Sequence, residues 1–94
     1  MDNFQKVATQ LNAAYEEFSS LSKKTPNDQV NKFKLKFINE ILANANEHLK
    51  KSYKPFQDFE LFDENDLPTA SDVVFILKQY SECLNKKRID KDYE

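Results

Sequence analysis

Phe4, Val7, Ala8, Leu11, Ala14, Tyr15, Phe18 and Leu21 recur at helical spacing and fall on one stripe. The pattern predicts a first helix over residues 3–23. Asp2 or Asn3 can cap its start, and Lys23 and Lys24 suit the negative end of the helix dipole. Thr25 followed by Pro26, with Asp28 behind them, reads as the cap and first turn of a second helix over 26–53. That helix carries two apolar ridges. One is Val30, Phe33, Phe37 and Ile41; the other is Leu35, Ile38, Leu42, Ala45 and Leu49. At about 100° per residue the two cover an arc of roughly 200°, which predicts a central helix touched from both sides. Asn44 and Asn46 are weak helix formers, and mark a place for a kink.

Pro55 ends the second helix, because the residue before proline avoids the α region. Beyond it lies a connector rich in phenylalanine and acid. Phe56, Phe59 and Phe62 recur every third residue, which fits a short fourth helix or a 3₁₀ turn with its rings plugging the bundle. Thr69 and Asp72 have the spacing of a capping box, with Ser71 as a competing cap. They open a third helix over 70–88 whose inward face is Val73, Ile76, Leu77, Tyr80, Cys83 and Leu84. Residues 89–94 form a polar tail expected to fray. These elements define an all-α fold, a compact three-helix bundle in one domain spanning 1–94. A short first link implies up-down-up topology.

Composition narrows the chemistry. The 94 residues include no glycine, which argues against phosphate-cradling loops and dinucleotide fingerprints. The net charge is −2, too small for bulk attraction to nucleic acid or to an anionic membrane. The local distribution is bipolar. Residues 21–54 hold eight lysines against Asp28, Glu40 and Glu47, a net of +5; residues 55–75 hold Asp58, Glu60, Asp63, Glu64, Asp66 and Asp72 with no base, a net of −6. The simplest expectation is that these two segments lie together and partly neutralise. No run of apolar residues is long enough to span a bilayer, and the first residues lack the apolar core of a signal peptide, so a cytoplasmic location is expected.

Candidate chemistry is sparse. Calcium-loop spacing fails from both Asp58 and Asp63, where Phe62 and Leu67 occupy ligand positions and no glycine follows. No metal or cofactor is therefore expected. His48, the sole histidine, lacks an obvious partner for acid–base work, and reads as a partly buried structural residue. Cys83 lies on the third helix's inward stripe and reads as a small hydrophobe. On the second helix Lys32 and Lys36 share a face while Lys34 points elsewhere; its aromatic residues are assigned to the core rather than to stacking on bases.

Two features have no structural necessity. One is the row of carboxylates Asp58, Glu60, Asp63, Glu64 and Asp66. The other is the pair Val74 and Phe75, which point away from the inward stripe of the third helix. Aromatic anchors beside a charged rim suit a protein-docking surface. The sequence thus points to a small non-enzymatic protein that binds another protein, as an inhibitor, an immunity-type partner or an adaptor. Its size and composition also fit a regulator carried by a phage or mobile element. A nucleic-acid-related role is the alternative, with spaced carboxylates mimicking phosphates in a basic groove or, less readily, with the chain binding nucleic acid directly. A homodimer that hides surplus apolar surface is the second alternative.

Overall fold

The computed structural model describes residues 2–92, which form three helices: α1 (Asn3–Lys24), α2 (Lys32–Tyr53) and α3 (Ala70–Asp92). The all-α three-helix bundle is as expected. Its core joins Val7, Leu11 and Phe18 of α1, Leu35, Ile38, Leu42, Ala45 and Leu49 of α2, and Val73, Ile76, Leu77, Tyr80 and Leu84 of α3. Val30 joins from the first link. Asp2 caps α1 by accepting the Gln5 N–H at 2.7 Å.

The topology departs from the up-down-up expectation. Lys34 at the start of α2 pairs with Glu17 near the end of α1, and Phe4 meets His48 at the other end, so α1 and α2 are antiparallel. Asn46 meets Tyr80 and Tyr53 meets Asp90, so α2 and α3 run parallel. The bundle is up-down-down. Residues 54–69 therefore act as a return strap that carries the chain back along α2 to its starting end. The reach is ample: α2 is about 33 Å long at 1.5 Å per residue, and an extended strap of this length spans up to about 50 Å.

The first link explains where the strap ends. Residues 26–31, expected as the first turns of α2, are not helical. Thr25 closes α1 instead, with its N–H on the Leu21 carbonyl at 2.9 Å. Gln29 forms an isolated antiparallel bridge with Thr69. The Val30 N–H donates to the Pro68 carbonyl at 2.9 Å, the Ala70 N–H to Asp28 at 3.0 Å and the Ser71 N–H to Pro26 at 3.1 Å. These bonds consume backbone groups that a longer α2 would have paired internally. Asn31 becomes the true N-cap, accepting the Lys34 N–H at 2.8 Å.

Three further expectations are corrected. The helix α2 is continuous through Asn44 and Asn46; its irregular residue is Lys50, at φ 55° and ψ −168°. That conformation belongs to glycine, which this chain lacks. The break frees carbonyls near the helix end, and Lys87 donates its ammonium to that of His48 while Gln57 Nε2 donates to that of Lys51. Next, α2 is touched by both α1 and α3 as expected, but it is not the central helix. α1 and α3 form the most extensive pairing, and α3 is flanked by α1, α2 and the strap. Finally, α3 runs to Asp92 rather than stopping near Arg88. Asp90 fixes this last part: it accepts the Tyr53 hydroxyl at 2.8 Å and pairs with Lys86 at 3.1 Å. The Tyr53 hydrogen bond and the Lys86 ammonium hold its carboxyl below the usual range. The expected frayed tail at 89–94 is instead helical through Asp92, and residues 93–94 lie outside the described residues.

Candidate interaction surfaces

The strap contains turns but no helix or 3₁₀ segment, so the short fourth element is absent among the described residues. Side chains of α2 hold its backbone at two points. Asn39, nearly buried, donates Nδ2 to the Phe62 carbonyl and accepts the Phe62 N–H, both at 3.0 Å. Asn46, two turns further on, donates to the Glu60 carbonyl at 3.0 Å and accepts the Tyr80 hydroxyl at 2.7 Å. A seven-residue interval places both amides on one face of α2. Asn46 was thus a pin for the strap, with its other bond to α3, where a helix defect had been expected. Among the described residues no buried side-chain nitrogen or oxygen lacks a partner.

These pins orient the phenylalanines. Phe59 and Phe62 turn inward against the core, with Phe59 edge-on to both Phe62 (5.1 Å between centroids) and Tyr80 (6.3 Å). Burial pushes the Tyr80 hydroxyl up to about 12, against the opposing effect of its bond to Asn46. Phe56 also packs partly buried against the core and in addition stacks on Phe75 at 5.9 Å with 22° between the rings. Phe75 remains 55% exposed even so, and Leu61 is 48% exposed. Val74 is half-buried and packs on the core, so of the pair it is Phe75 that presents itself to solvent.

Asp58, Glu60, Asp63, Glu64 and Asp66 are all exposed. Glu60 pairs with Lys54 at 3.1 Å, and the Lys54 side chain is only 8% exposed beneath it. Asp63 Oδ1 accepts the Asn65 N–H at 2.9 Å and shapes a turn. Asp58, Glu64 and Asp66 take no ion pair within the described residues. Mutual neutralisation of the basic and acidic segments was the simplest expectation, yet Lys54–Glu60 is the only ion pair between them among the described residues. The strap lies along α2 through the two asparagines; Lys34 turns to Glu17 instead, and Lys32, although seven residues before Asn39 and on the same face, makes no ion pair with it. Asp72 belongs to structure rather than to this surface. It exchanges hydrogen bonds with Thr69 at 3.2 Å each, the expected capping box.

The largest miss concerns α2's first ridge. Val30 is buried, but Phe33 is 72% exposed and Phe37 45% exposed, with their rings edge-on at 5.1 Å. They do not serve the core as expected. Lys36 lies 5.9 Å from the centre of the Phe37 ring. Lys34 points away from this pair, over Phe18 and toward Glu17. The sequence signal was present in the arc of roughly 200°, wider than one neighbouring helix covers; with α1 and α3 packed on each other, half of it stays bare.

Two shallow grooves flank α1. One, of about 420 Å³, runs between α1 and α2 and is bordered by Phe37, Ile41, Glu47 and His48. His48 is half-buried there with the Phe4 ring against it at 5.5 Å. The other, of about 670 Å³, lies between α1 and α3, where Ser81 donates to Asn12 at 2.7 Å. Cys83 is half-buried, and burial raises its thiol above the usual range, which disfavours the nucleophilic thiolate. No cluster of three or more His, Cys, Asp or Glu suited to a metal occurs among the described residues. No helix of the described chain is long and apolar enough to cross a membrane. No protein-family model matches the chain, and no curated protein or solved structure shows significant similarity to it.

Proposed function

We propose that this chain is a small non-enzymatic protein that works by binding another protein, as an inhibitor, immunity-type partner or adaptor, and that the strap face is its docking surface. The observation that carries this reading is the Phe56–Phe75 stack, half open to solvent on a surface whose neighbouring strap holds unneutralised carboxylates. An aromatic anchor contributes most of its binding energy when desolvated by a partner, and a rim of one sign steers a partner of the other. The preferred partner therefore presents a basic surface. A partner whose own ligand is nucleic acid would make the carboxylates a phosphate mimic.

The test is affinity capture from the source cell at low salt with three baits: the natural chain, Asp58→Asn/Glu64→Gln/Asp66→Asn, and Phe75→Ala. These carboxylates take part in no ion pair among the described residues, and Phe75 is 55% exposed, so helicity should persist in both variants. A protein retained by the natural chain and lost by both variants, and released by salt, supports the reading. Equal capture by all three baits sinks it.

A further inference from the structure

Lys50 holds φ 55° and ψ −168° near the end of α2. That region belongs to glycine, and a lysine stays in it only while its surroundings impose it. The constraint comes from contacts that reach across Lys50 from two sides. From α3, Lys87 donates its ammonium to the His48 carbonyl ahead of Lys50 and lies 5.9 Å from the centre of the Tyr53 ring beyond it. Asp90 accepts the Tyr53 hydroxyl at 2.8 Å. From the strap, the Glu60 carbonyl accepts from Asn46 ahead of Lys50, while its carboxylate pairs with Lys54 beyond it. Gln57 donates to the Lys51 carbonyl at 3.3 Å. The turn after Lys50 is closed by the Lys54 N–H on the Lys50 carbonyl at 3.1 Å, and fully buried Leu49 anchors the helix just ahead. In an unbroken helix the His48 carbonyl takes the Ser52 N–H; here it takes the Lys87 ammonium.

We propose that Lys50 is the hinge of a latch. Closed, it bends the last turn of α2 onto α3, with the start of the strap beside it. Open, Lys50 returns to the helical region, α2 runs straight through Tyr53, and Lys87 and Asp90 lose their hold on it. A few residues at the end of an element absorb the whole backbone change. The rest of the strap stays pinned, with Glu60 on Asn46, Phe62 on Asn39 and Thr69 opposite Gln29. The chain allows this: the five residues 54–58 reach up to about 17 Å, and Asn46 to Tyr53 is about 10 Å of straight helix. Stretching that link draws Phe56 off the core and off Phe75, so the aromatic stack exists only in the closed form. The closed form gains that burial and the contacts to α3; the open form loses the strain at Lys50 and completes the ladder. A partner that docks on the stack draws the latch shut, by as much as it prefers that form. Only this last consequence rests on the strap being a docking surface.

Relaxation dispersion by nuclear magnetic resonance tests the latch on the full chain, since hinge motions fall in the microsecond to millisecond range it reads. Residues 50–58 are expected to exchange with a minor state in which residue 50 has helical carbon shifts, while Asn39, Phe62 and Thr69 do not join. Lys50→Gly removes the strain and should lower the minor population about tenfold. Lys87→Met leaves the His48 carbonyl to the ladder and should raise it about tenfold, with contacts between the Phe56 and Phe75 rings weakening in step. Lys50→Gly/Lys87→Met should recover those ring contacts, which a merely structural role for Lys87 would not allow. The latch is overturned by a helical residue 50 in the main state of the natural chain, by absence of exchange over 50–58, or by exchange that neither substitution moves. Should Lys87→Met fail to fold, the natural chain and Lys50→Gly decide between these outcomes alone. No partner enters this experiment, so the latch falls by these results even where Phe75→Ala releases a captured protein, and stands by them where nothing is captured.

Discussion

Asn39 grips Phe62 twice, giving its amide N–H to the Phe62 carbonyl and taking the Phe62 N–H on its oxygen, both at 3.0 Å. A single polar side chain on α2 thereby does for the strap what a β-ladder does for a strand. Asn39→Ala strands both backbone groups. The expected cost is about 2 kcal/mol, with unsatisfied groups at about 1–3 kcal/mol as the guide, which lowers the melting temperature by roughly 10 °C in a domain of this size. Chemical denaturation measures it. A change within experimental error would mean that the strap is held by its phenylalanines alone.

The up-down-down topology has a direct chemical test. Gln29 and Thr69 face one another across the antiparallel bridge, and the flanking bonds from Val30 and Ala70 make them a non-hydrogen-bonded pair. Such pairs bring Cα atoms to about 4.5 Å, inside the range for a disulfide. In a Cys83→Ser background, Gln29→Cys/Thr69→Cys should oxidise readily within the monomer. The crosslink should add about 4 kcal/mol through its closed loop, less about 1 kcal/mol for the lost Thr69 cap. An up-down-up bundle would place these residues at opposite ends, and no intramolecular bond would form.

Lys50 stands in a backbone region that glycine occupies without penalty. Lys50→Gly should therefore stabilise the chain by about 1 kcal/mol, against the usual cost of glycine in a helix. Urea midpoints for Lys50→Gly and Lys50→Ala separate backbone from side-chain effects; glycine below alanine would show an ordinary helical residue there.

Tyr80 is protonated well beyond the ordinary phenol range in the folded chain, at about 12 against 10.0 unfolded, because burial disfavours the phenolate. The sign follows directly. Below pH 10 both states are protonated and the contribution is fully present. Between the two values only the unfolded state ionises, so stability falls as pH rises. A shift of this size is worth at most about 2–3 kcal/mol. Absorbance at 295 nm should show a tyrosine titrating late and together with loss of helical signal. All tyrosines titrating near pH 10 in a still-helical chain would contradict it.

The contrast between Leu35 and Phe33 shows what could be read in advance. Both sit on ridges of the same periodic helix, yet Leu35 is fully buried and Phe33 lies open. Periodicity identified both ridges, but not which one α1 and α3 would cover. The site was legible in the same measure. Phe75 was recognisable as an outlier from the inward stripe, and its exposure agrees; the Phe33–Phe37 patch was hidden because an apolar ridge looks alike whether covered or bare.

By itself the sequence determined three helices, the inward faces of α1 and α3 and the caps at Asp2 and Thr69, since these depend on spacing and on bonds within a few residues. The tertiary structure decided the direction of α3, the course of the strap and the charge left uncancelled on either side. Those outcomes depend on Asn39 meeting Phe62 and Gln29 meeting Thr69, contacts between residues far apart in the chain whose partners no local pattern specifies. An asparagine that weakens a helix locally can hold the fold together when a distant backbone brings it a partner.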